Sequence, residues 1–200
     1  MKQDGWKTIW SERHFANAHL EVVTDDLQTP MRTQPRTWTI VHRKAAVVIA
    51  PVTDDGKIVL IRQERIPIRQ AIWEMPSGQI DTVAGIGHPG RPTETIEQGA
   101  LRELREEAGY ELAEAGSLVP LGHYFSSPGF TDERGYFFLA RPVVPVPGYI
   151  RDESEAIVDC RAFSVAEIRR MIADNEIRDG NTLGICSRLA ARGFVSLEAR

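Results

Sequence analysis

The sequence predicts a mixed fold, of the α/β or α+β type, in which strands and helices alternate irregularly. Short segments rich in Val, Ile, Thr and Trp recur between turn residues, as strands do. Three later stretches have apolar residues at helical spacing, with capping or stop signals at their ends. Antiparallel hairpins interspersed with a few helices favour this fold class.

The first part of the chain, residues 1–43, predicts a small antiparallel sheet. Its strands are expected at residues 6–10, 18–24 and 37–42, with polar or proline-containing turns between them. A sheet of three short strands is only marginally stable alone. We therefore expect it to pack against the rest of its own chain or against a second subunit.

Residues 44–200 contain the other strands and all three helices. A buried strand at 45–52, an Asp-Gly turn at 54–57 and a return strand at 58–62 predict a hairpin. Ser164 and Glu167 form a capping-box pattern that starts a helix. Further strands are expected at 71–75, 118–125, 135–140 and 157–163, and a last helix at 182–191.

Composition excludes several classes of function. The net charge of −4 gives no reason to expect nucleic acid or an anionic membrane as a partner. No stretch approaches the ~20 apolar residues of a membrane span, and residues 1–7 lack the apolar run of a signal peptide. Cys160 and Cys186 lack metal-ligand spacing, so we expect reduced thiols in a cytoplasmic protein.

The most informative stretch is a predicted helix at residues 100–108 that ends at Gly109. A face of this helix is acidic, because three side chains have the spacing that groups them: Glu103, Glu106 and Glu107. Such a face is either a solvated surface or a place where a hard divalent cation offsets the repulsion. An adjacent apolar stripe should face the core: Ile96, Ala100, Leu104 and Ala108.

The neighbouring residues favour the cation. Residues 102–110 read R-E-L-R-E-E-A-G-Y, which resembles the second half of the Nudix box, G-x5-E-x7-R-E-U-x-E-E-x-G-U with U apolar. Glu94 stands where the upstream glutamate of the box belongs. Gly78 lies in E-M-P-S-G-Q-I-D, which is similar to the E-x-P-A-G-x-I-D of the ADP-ribose pyrophosphatase branch. The resemblance implies a Nudix α/β/α sandwich with a mixed sheet over residues 44–200.

The sequence departs from the box between its glycine and its first glutamate. The family has five residues there, whereas this chain has residues 79–93, an insertion of about ten. Residues 82–93 are rich in Gly and Pro, which disfavour regular structure. We therefore expect a surface loop near the mouth of the site.

The resemblance also implies a metal site. Mg²⁺, with Mn²⁺ as the alternative, would be held by the carboxylates of Glu103, Glu106 and Glu107 and by the backbone carbonyl of Ser77. Glu107 counts among the catalytic residues as well. Arg102, four residues before Glu106, is expected to brace these carboxylates.

Two further motifs imply contacts with substrate. Gln63-Glu64-Arg65 resembles the Q-x-R at which this branch places a substrate-contacting arginine, although a surface arginine is the alternative. The pattern S-P-G-F-x-x-E at residues 127–133 is typical of ADP-ribose pyrophosphatases. The substrate-binding residues implied by the resemblance are Arg65, Glu74, Pro128, Gly129 and Glu133.

A general base is implied in the acidic segment Glu153-Ser154-Glu155, because this branch carries its base in an E-x-E context well after the box. Glu155 is the first choice and Glu153 the second. An exposed acidic turn without a catalytic part is the alternative.

These expectations together describe a Mg²⁺-dependent hydrolase of nucleoside diphosphate sugars, acting on ADP-ribose or a similar compound. The alternatives are a GDP-mannose-type hydrolase, a non-catalytic Nudix domain that senses a nucleotide, and a structural protein with an acidic helix. In the ADP-ribose pyrophosphatase group the N-terminal sheet commonly takes part in dimerisation. The resemblance therefore implies a homodimer through residues 1–43.

Overall fold

The structure is a computed structural model and describes residues 5–80, 94–151 and 156–196. Within these ranges the chain forms a small three-stranded sheet, a seven-stranded sheet and three α-helices. The predicted surface loop at 82–93 and the predicted base residues Glu153 and Glu155 lie outside the described residues. None of the described helices combines the length and apolarity needed to cross a bilayer.

The N-terminal sheet is antiparallel, as predicted, with longer strands than the sequence indicated. It consists of β1 (Lys7–Ala16), β2 (Leu20–Gln28) and β3 (Arg36–Arg43), with β2 in the middle. Every residue of β1 is exposed in the isolated chain. The sheet meets the rest of the chain through β3, where the Val41 amide donates to the Phe130 carbonyl at 2.8 Å.

The seven-stranded sheet is mixed. Its main path runs β10-β5-β4-β9-β8, in which β4 and β9 are parallel and the other neighbours antiparallel, while β6 pairs with β5 and β7 with β4. The strands are β4 (Ala46–Thr53), β5 (Ile58–Arg65), β6 (Gln70–Glu74), β7 (Ser77–Gln79), β8 (Tyr110–Phe125), β9 (Arg134–Pro145) and β10 (Ile157–Phe163).

Helices cover both faces of this sheet, so the architecture is the α/β/α sandwich that the resemblance implied. Alternate residues of a strand point to opposite faces, and β4 divides accordingly. Val47 and Ile49 pack with α1 (Ile96–Glu103), whereas Val48 and Ala50 pack with α2 (Val165–Ala173) and α3 (Gly180–Ala191). Both clusters are almost fully buried, so burying the two faces of one sheet fixes the positions of all three helices.

Local signals account for the element ends. Thr53 and Lys57 close the predicted hairpin turn, since the Thr53 amide donates to the Lys57 carbonyl at 2.9 Å. Ser164 caps α2, and Glu167 returns the hydrogen bond, so the predicted capping box is confirmed. Asp179 caps α3 through the amide of Thr182, which starts that helix two residues earlier than predicted.

Candidate active site

The acidic helix begins before the predicted start and changes geometry at its end. Thr95 and Gln98 form a capping box that starts α1 at Ile96. From Leu104 to Ala108 the backbone is a π-helical turn, and Gly109 stops it in the left-handed conformation at φ 71°. The predicted apolar stripe is confirmed, because three of its members are almost fully buried against the sheet: Ala100, Leu104 and Ala108.

Two of the three glutamates press against the segment that contains β7. The Glu107 carboxylate is buried and accepts a 2.6 Å hydrogen bond from the amide of Ser77. The Glu103 carboxylate lies against Gly78, where a Cβ on residue 78 would overlap it. Residue 78 must therefore be glycine, because the Glu103 carboxylate approaches its backbone too closely to leave room for a Cβ atom.

Arg102 holds the remaining carboxylates of the box together, as its spacing predicts. Its guanidinium donates to Glu94 at 2.8 Å and 3.0 Å, to Glu103 at 2.6 Å and to Glu106 at 2.9 Å. It also reaches the carbonyl of Gln79 at 3.3 Å. The hydrogen bond to Glu94, together with the charges of Glu103 and Glu106, raises the pKa of Arg102, so this cation is permanent.

Arg65 of β5 and Glu74 of β6 form a bidentate ion pair. The Arg65 Nε lies 2.9 Å and 3.1 Å from the two Glu74 oxygens, and its Nη2 lies 2.9 Å from one of them. Glu74 is 1% exposed, whereas the Arg65 side chain is 39% exposed. Burial raises the pKa of Glu74 and the charge of Arg65 opposes that rise. The pair therefore holds the Arg65 guanidinium in place at the cleft, while the Glu74 carboxylate that binds it stays buried.

A cleft of about 450 Å³ lies beside the Arg65–Glu74 pair and the Ser77–Gln79 strand. Its walls include Arg65, Glu74, Ser77 and Gly78, so the resemblance-based residues of β5, β6 and β7 meet at one place. Tyr124 forms part of the wall, and burial raises the pKa of its hydroxyl, which keeps it neutral. The other lining residues are Arg43, Ala46, Pro67, Ile68, Ile72, Gln79, Glu133, Arg178, Asp179, Gly180 and Asn181.

The loop after β8 joins this cleft to the N-terminal sheet. Glu133 lines the cleft and pairs with Arg43, the last residue of β3, at 3.1 Å. Pro128 and Gly129 are not among the described residues that line the cleft. The carbonyl of Gly129 instead accepts a 2.8 Å hydrogen bond from the indole of Trp38. In this structure Gly129 therefore anchors the loop to β3.

Sequence reasoning missed the opposite wall of the cleft. Arg178 donates to Gln70 at 2.7 Å, and the buried Thr182 accepts a 2.8 Å hydrogen bond from the Met75 amide. These contacts join the start of α3 to β6 and the residue after it. Asp179 could have been recognised as a helix cap from its place before Gly-Asn-Thr. No signal in the sequence pointed to Arg178 or Arg43.

The chemistry of the donors fits a hard divalent cation. Carboxylates and backbone carbonyls are the ligands that Mg²⁺ prefers. Glu103 and Glu107 lie beside the Ser77–Gln79 strand, and Arg102 links Glu106 to Glu103. Within the described ranges no three His, Cys, Asp or Glu side chains are grouped as a ready metal site. Two of the three glutamates are turned to Arg102 here. A cation would have to share these carboxylates with the arginine.

Comparison with known proteins decides the family. The NUDIX domain model matches residues 41–183. The chain belongs to the Nudix family. Its Nudix box is the constellation just described, with Arg102 at the centre of the glutamates.

Two curated Nudix relatives carry names that state an activity. The chain is 29% identical to the ADP-ribose pyrophosphatase of Bacillus subtilis (strain 168) over 182 residues, which is 91% of each protein. It is 33% identical to the GDP-mannose pyrophosphatase of Klebsiella pneumoniae over 147 residues, or 70% of this chain and 67% of the relative. The fold of this chain is also similar to that in a crystal structure of an ADP compounds hydrolase. The two superpose with a TM-score of 0.73 over 98% of this chain and 100% of the other, at 20% sequence identity.

Proposed function

We propose that this Nudix enzyme hydrolyses the pyrophosphate bond of ADP-ribose or a closely related nucleoside diphosphate sugar, in a reaction that depends on Mg²⁺. The products would be a nucleoside monophosphate and a sugar phosphate. The observation that carries the proposal is the cleft itself, which places the Arg65–Glu74 pair and the Ser77–Gly78 segment of the Nudix box on one surface.

We assign separate roles to the cation ligands and to the arginine that binds phosphate. Glu103, Glu106 and Glu107, with the carbonyl of Ser77, are the proposed ligands of the cation. The cation would neutralise phosphate charge, orient the phosphates and acidify a coordinated water. Arg65, held by the buried Glu74, presents a fixed donor to a phosphate oxygen.

A proton acceptor is still needed, and we assign that role to Glu155, with Glu153 as the second choice. The three glutamates of the box are poor bases if they are ligands. The E-x-E spacing and its place after β9 support the assignment. A positioned carboxylate typically contributes about 10²–10⁴ in rate.

The names of two relatives guide the choice of nucleotide sugar. The relative with the fuller coverage is named for ADP-ribose, and this favours ADP-ribose as the first substrate. The GDP-mannose pyrophosphatase relative makes GDP-mannose the second candidate. Glu133, Pro128 and Gly129 are proposed to contact the substrate, Glu133 from within the cleft and the other two from its adjoining loop.

We further propose that the enzyme is a cytoplasmic homodimer in which residues 1–43 form the dimerisation region and residues 44–200 the Nudix domain. Four large apolar side chains of β1 and β3 support this, because each is about half exposed in the single chain: Ile9, Trp10, Phe15 and Trp38. Exposed apolar patches of this kind commonly mark protein interfaces.

A substrate panel tests the proposal. Purified protein is incubated with Mg²⁺ and, separately, with ADP-ribose, GDP-mannose, a dinucleoside polyphosphate and a nucleoside triphosphate, and products are separated by ion-exchange chromatography. We expect AMP and ribose 5-phosphate from ADP-ribose at the highest kcat/KM, and no turnover after chelation. A preference for the triphosphate would refute the proposed substrate class. No turnover with any substrate would refute the proposal that the protein is a hydrolase of this kind.

A further inference from the structure

The last carbonyls of the acidic helix are satisfied from outside the helix. A helix leaves its final C=O groups without partners of its own. Here the Glu106 carbonyl accepts from the hydroxyl of Tyr149, the Ala108 carbonyl from the thiol of Cys160 at 3.5 Å, and the Gly109 carbonyl from the amide of Val146 at 2.8 Å. Segment 146–149, which follows β9, therefore closes the end of this helix.

Tyr149 contacts the helix end twice. Its hydroxyl donates to Glu106, and its ring lies against Gly109 so closely that a Cβ on residue 109 would overlap it. The Tyr149 amide donates back to Val146 at 3.3 Å, which fixes the turn that carries the ring. Hydroxyl and ring thus contact the backbone on both sides of Glu107.

The turn that Tyr149 holds is the one from which two proposed ligands project. It is π-helical, and such wide turns are rare and concentrated at functional sites. Glu106 points outward to Arg102 and its side chain is 49% exposed, whereas Glu107 points inward to the Ser77 amide. A shift of the Glu106 peptide would therefore change the directions of both carboxylates together.

We propose that Tyr149 is a positioning residue for the cation site. Its hydroxyl fixes the Glu106 carbonyl, and the fixed peptide holds Glu106 and Glu107 in the directions that a shared cation requires. Tyr149 touches neither the cation nor the substrate in this arrangement. The inference rests on the ligand set of the proposed function.

Binding of Mn²⁺ without substrate tests this directly. Tyr149→Phe removes one hydroxyl and keeps the ring over Gly109. The matched control is Tyr110→Phe, because Tyr110 follows Gly109 and, within the described residues, its hydroxyl makes no hydrogen bond. Free Mn²⁺ is measured by electron paramagnetic resonance, with circular dichroism to confirm the fold. We expect Tyr149→Phe to weaken Mn²⁺ binding about three- to ten-fold, the worth of one hydrogen bond, and Tyr110→Phe to match the wild type.

Kinetics give a second readout. The Mg²⁺ concentration for half-maximal hydrolysis of ADP-ribose should rise in parallel in Tyr149→Phe, while kcat at saturating Mg²⁺ returns to within about two-fold of the wild type. A helix that was merely less stable would lower the melting temperature without this selective shift.

Two results would overturn the inference: Mn²⁺ affinity equal to that of the wild type in folded Tyr149→Phe, or an equal loss in Tyr110→Phe. Gly109→Ala, which displaces the ring, should weaken binding at least as much as Tyr149→Phe, and unchanged Mn²⁺ affinity in that folded variant would also count against it. Wild-type protein that binds Mn²⁺ but cleaves none of the substrates in the panel would refute the proposed function instead. The comparison between the tyrosine variants would still decide the role of Tyr149.

Discussion

The carboxylate of Glu103 occupies the space that a side chain on residue 78 would need. The two residues come from the two halves of the Nudix box and are brought together when α1 packs beside β7. Glu103 is nearly buried there and is held from its other side by Arg102 at 2.6 Å. The glycine of the box therefore leaves room for the carboxylate of Glu103, which is one of the proposed ligands.

Gly78→Ala tests this contact. The new methyl group must push the Glu103 carboxylate out of its place or shift β7. We expect a loss of at least about ten-fold in kcat/KM, or more than about 1.4 kcal/mol, and weaker Mg²⁺ activation. The measurement is initial rate against Mg²⁺ concentration, with circular dichroism as the check on folding. Wild-type Mg²⁺ dependence in the folded variant would show that the contact has no part in cation binding.

Glu107→Gln removes one charge from the proposed ligand set while it keeps the size of the side chain and an oxygen for the Ser77 amide. We expect kcat to fall at least a hundred-fold, on the order of 3 kcal/mol of transition-state stabilisation, with the fold unchanged. Glu111→Gln is the matched control, because Glu111 lies nearby and, among the described residues, pairs only with the exposed Arg105, at 3.3 Å. Near-normal turnover in Glu107→Gln would remove the helix from the mechanism.

The assignment of the general base is tested by Glu155→Gln and Glu153→Gln at saturating Mg²⁺ and ADP-ribose. Glu155→Gln should lower kcat by the larger factor, because amides cannot accept the proton, while Mg²⁺ affinity barely changes. If Glu153→Gln is the more damaging, the assignment moves to Glu153. If both lose less than about three-fold, which is below the usual contribution of a base, the base lies elsewhere, with Glu106 or Glu133 next.

Dimerisation through the N-terminal sheet is tested by multi-angle light scattering at micromolar protein. We expect twice the mass of the chain, and a shift to monomer in Trp10→Arg, because a charge would then have to be buried in an apolar interface. Val158→Arg is the control, since Val158 is equally exposed but lies on β10. A monomeric wild-type protein contradicts the prediction.

Shortening the insertion tests its role. Its described flanks are firmly placed: Ile80 is fully buried, and Glu94 is bound to Arg102. Deleting about ten residues within 82–93 should restore the family spacing. Folding should stay intact, because loops tolerate length changes. KM should change more than kcat, because the loop is expected near the mouth of the site. Loss of the folded state on deletion would place the segment in the core.

The sequence predicted those parts of the fold that local chemistry determines. The apolar stripe of the acidic helix, the stop at Gly109 and the capping box at Ser164 all follow from residues within one or two turns of each other. The hairpin between β4 and β5 follows from Asp-Gly in the same way. The sandwich itself came from the resemblance, because strand order in a mixed sheet is set by contacts between distant segments.

The remainder of the site depends on such distant contacts. Nothing near Arg65 indicates that it would donate three hydrogen bonds to Glu74, and nothing near Tyr149 indicates Glu106 as its partner. The π-helical turn from Leu104 to Ala108 is a rare backbone form, and no signal in the sequence indicated it. Contact of Pro128 and Gly129 with the substrate stays a prediction, and local sequence could not show that the Trp38 indole would donate to the Gly129 carbonyl.

Strand β3 connects the proposed dimer interface to the cleft. One of its side chains, Trp38, is 55% exposed on the small sheet, while its last residue, Arg43, reaches the cleft and pairs with Glu133. If two chains associate through that sheet, β3 would link the interface to the cleft, and any effect of association on substrate binding would be matched by an equal effect of substrate on association. If the dimer binds substrate more tightly than the monomer does, substrate would strengthen the dimer by the same factor, and specific activity would fall on dilution.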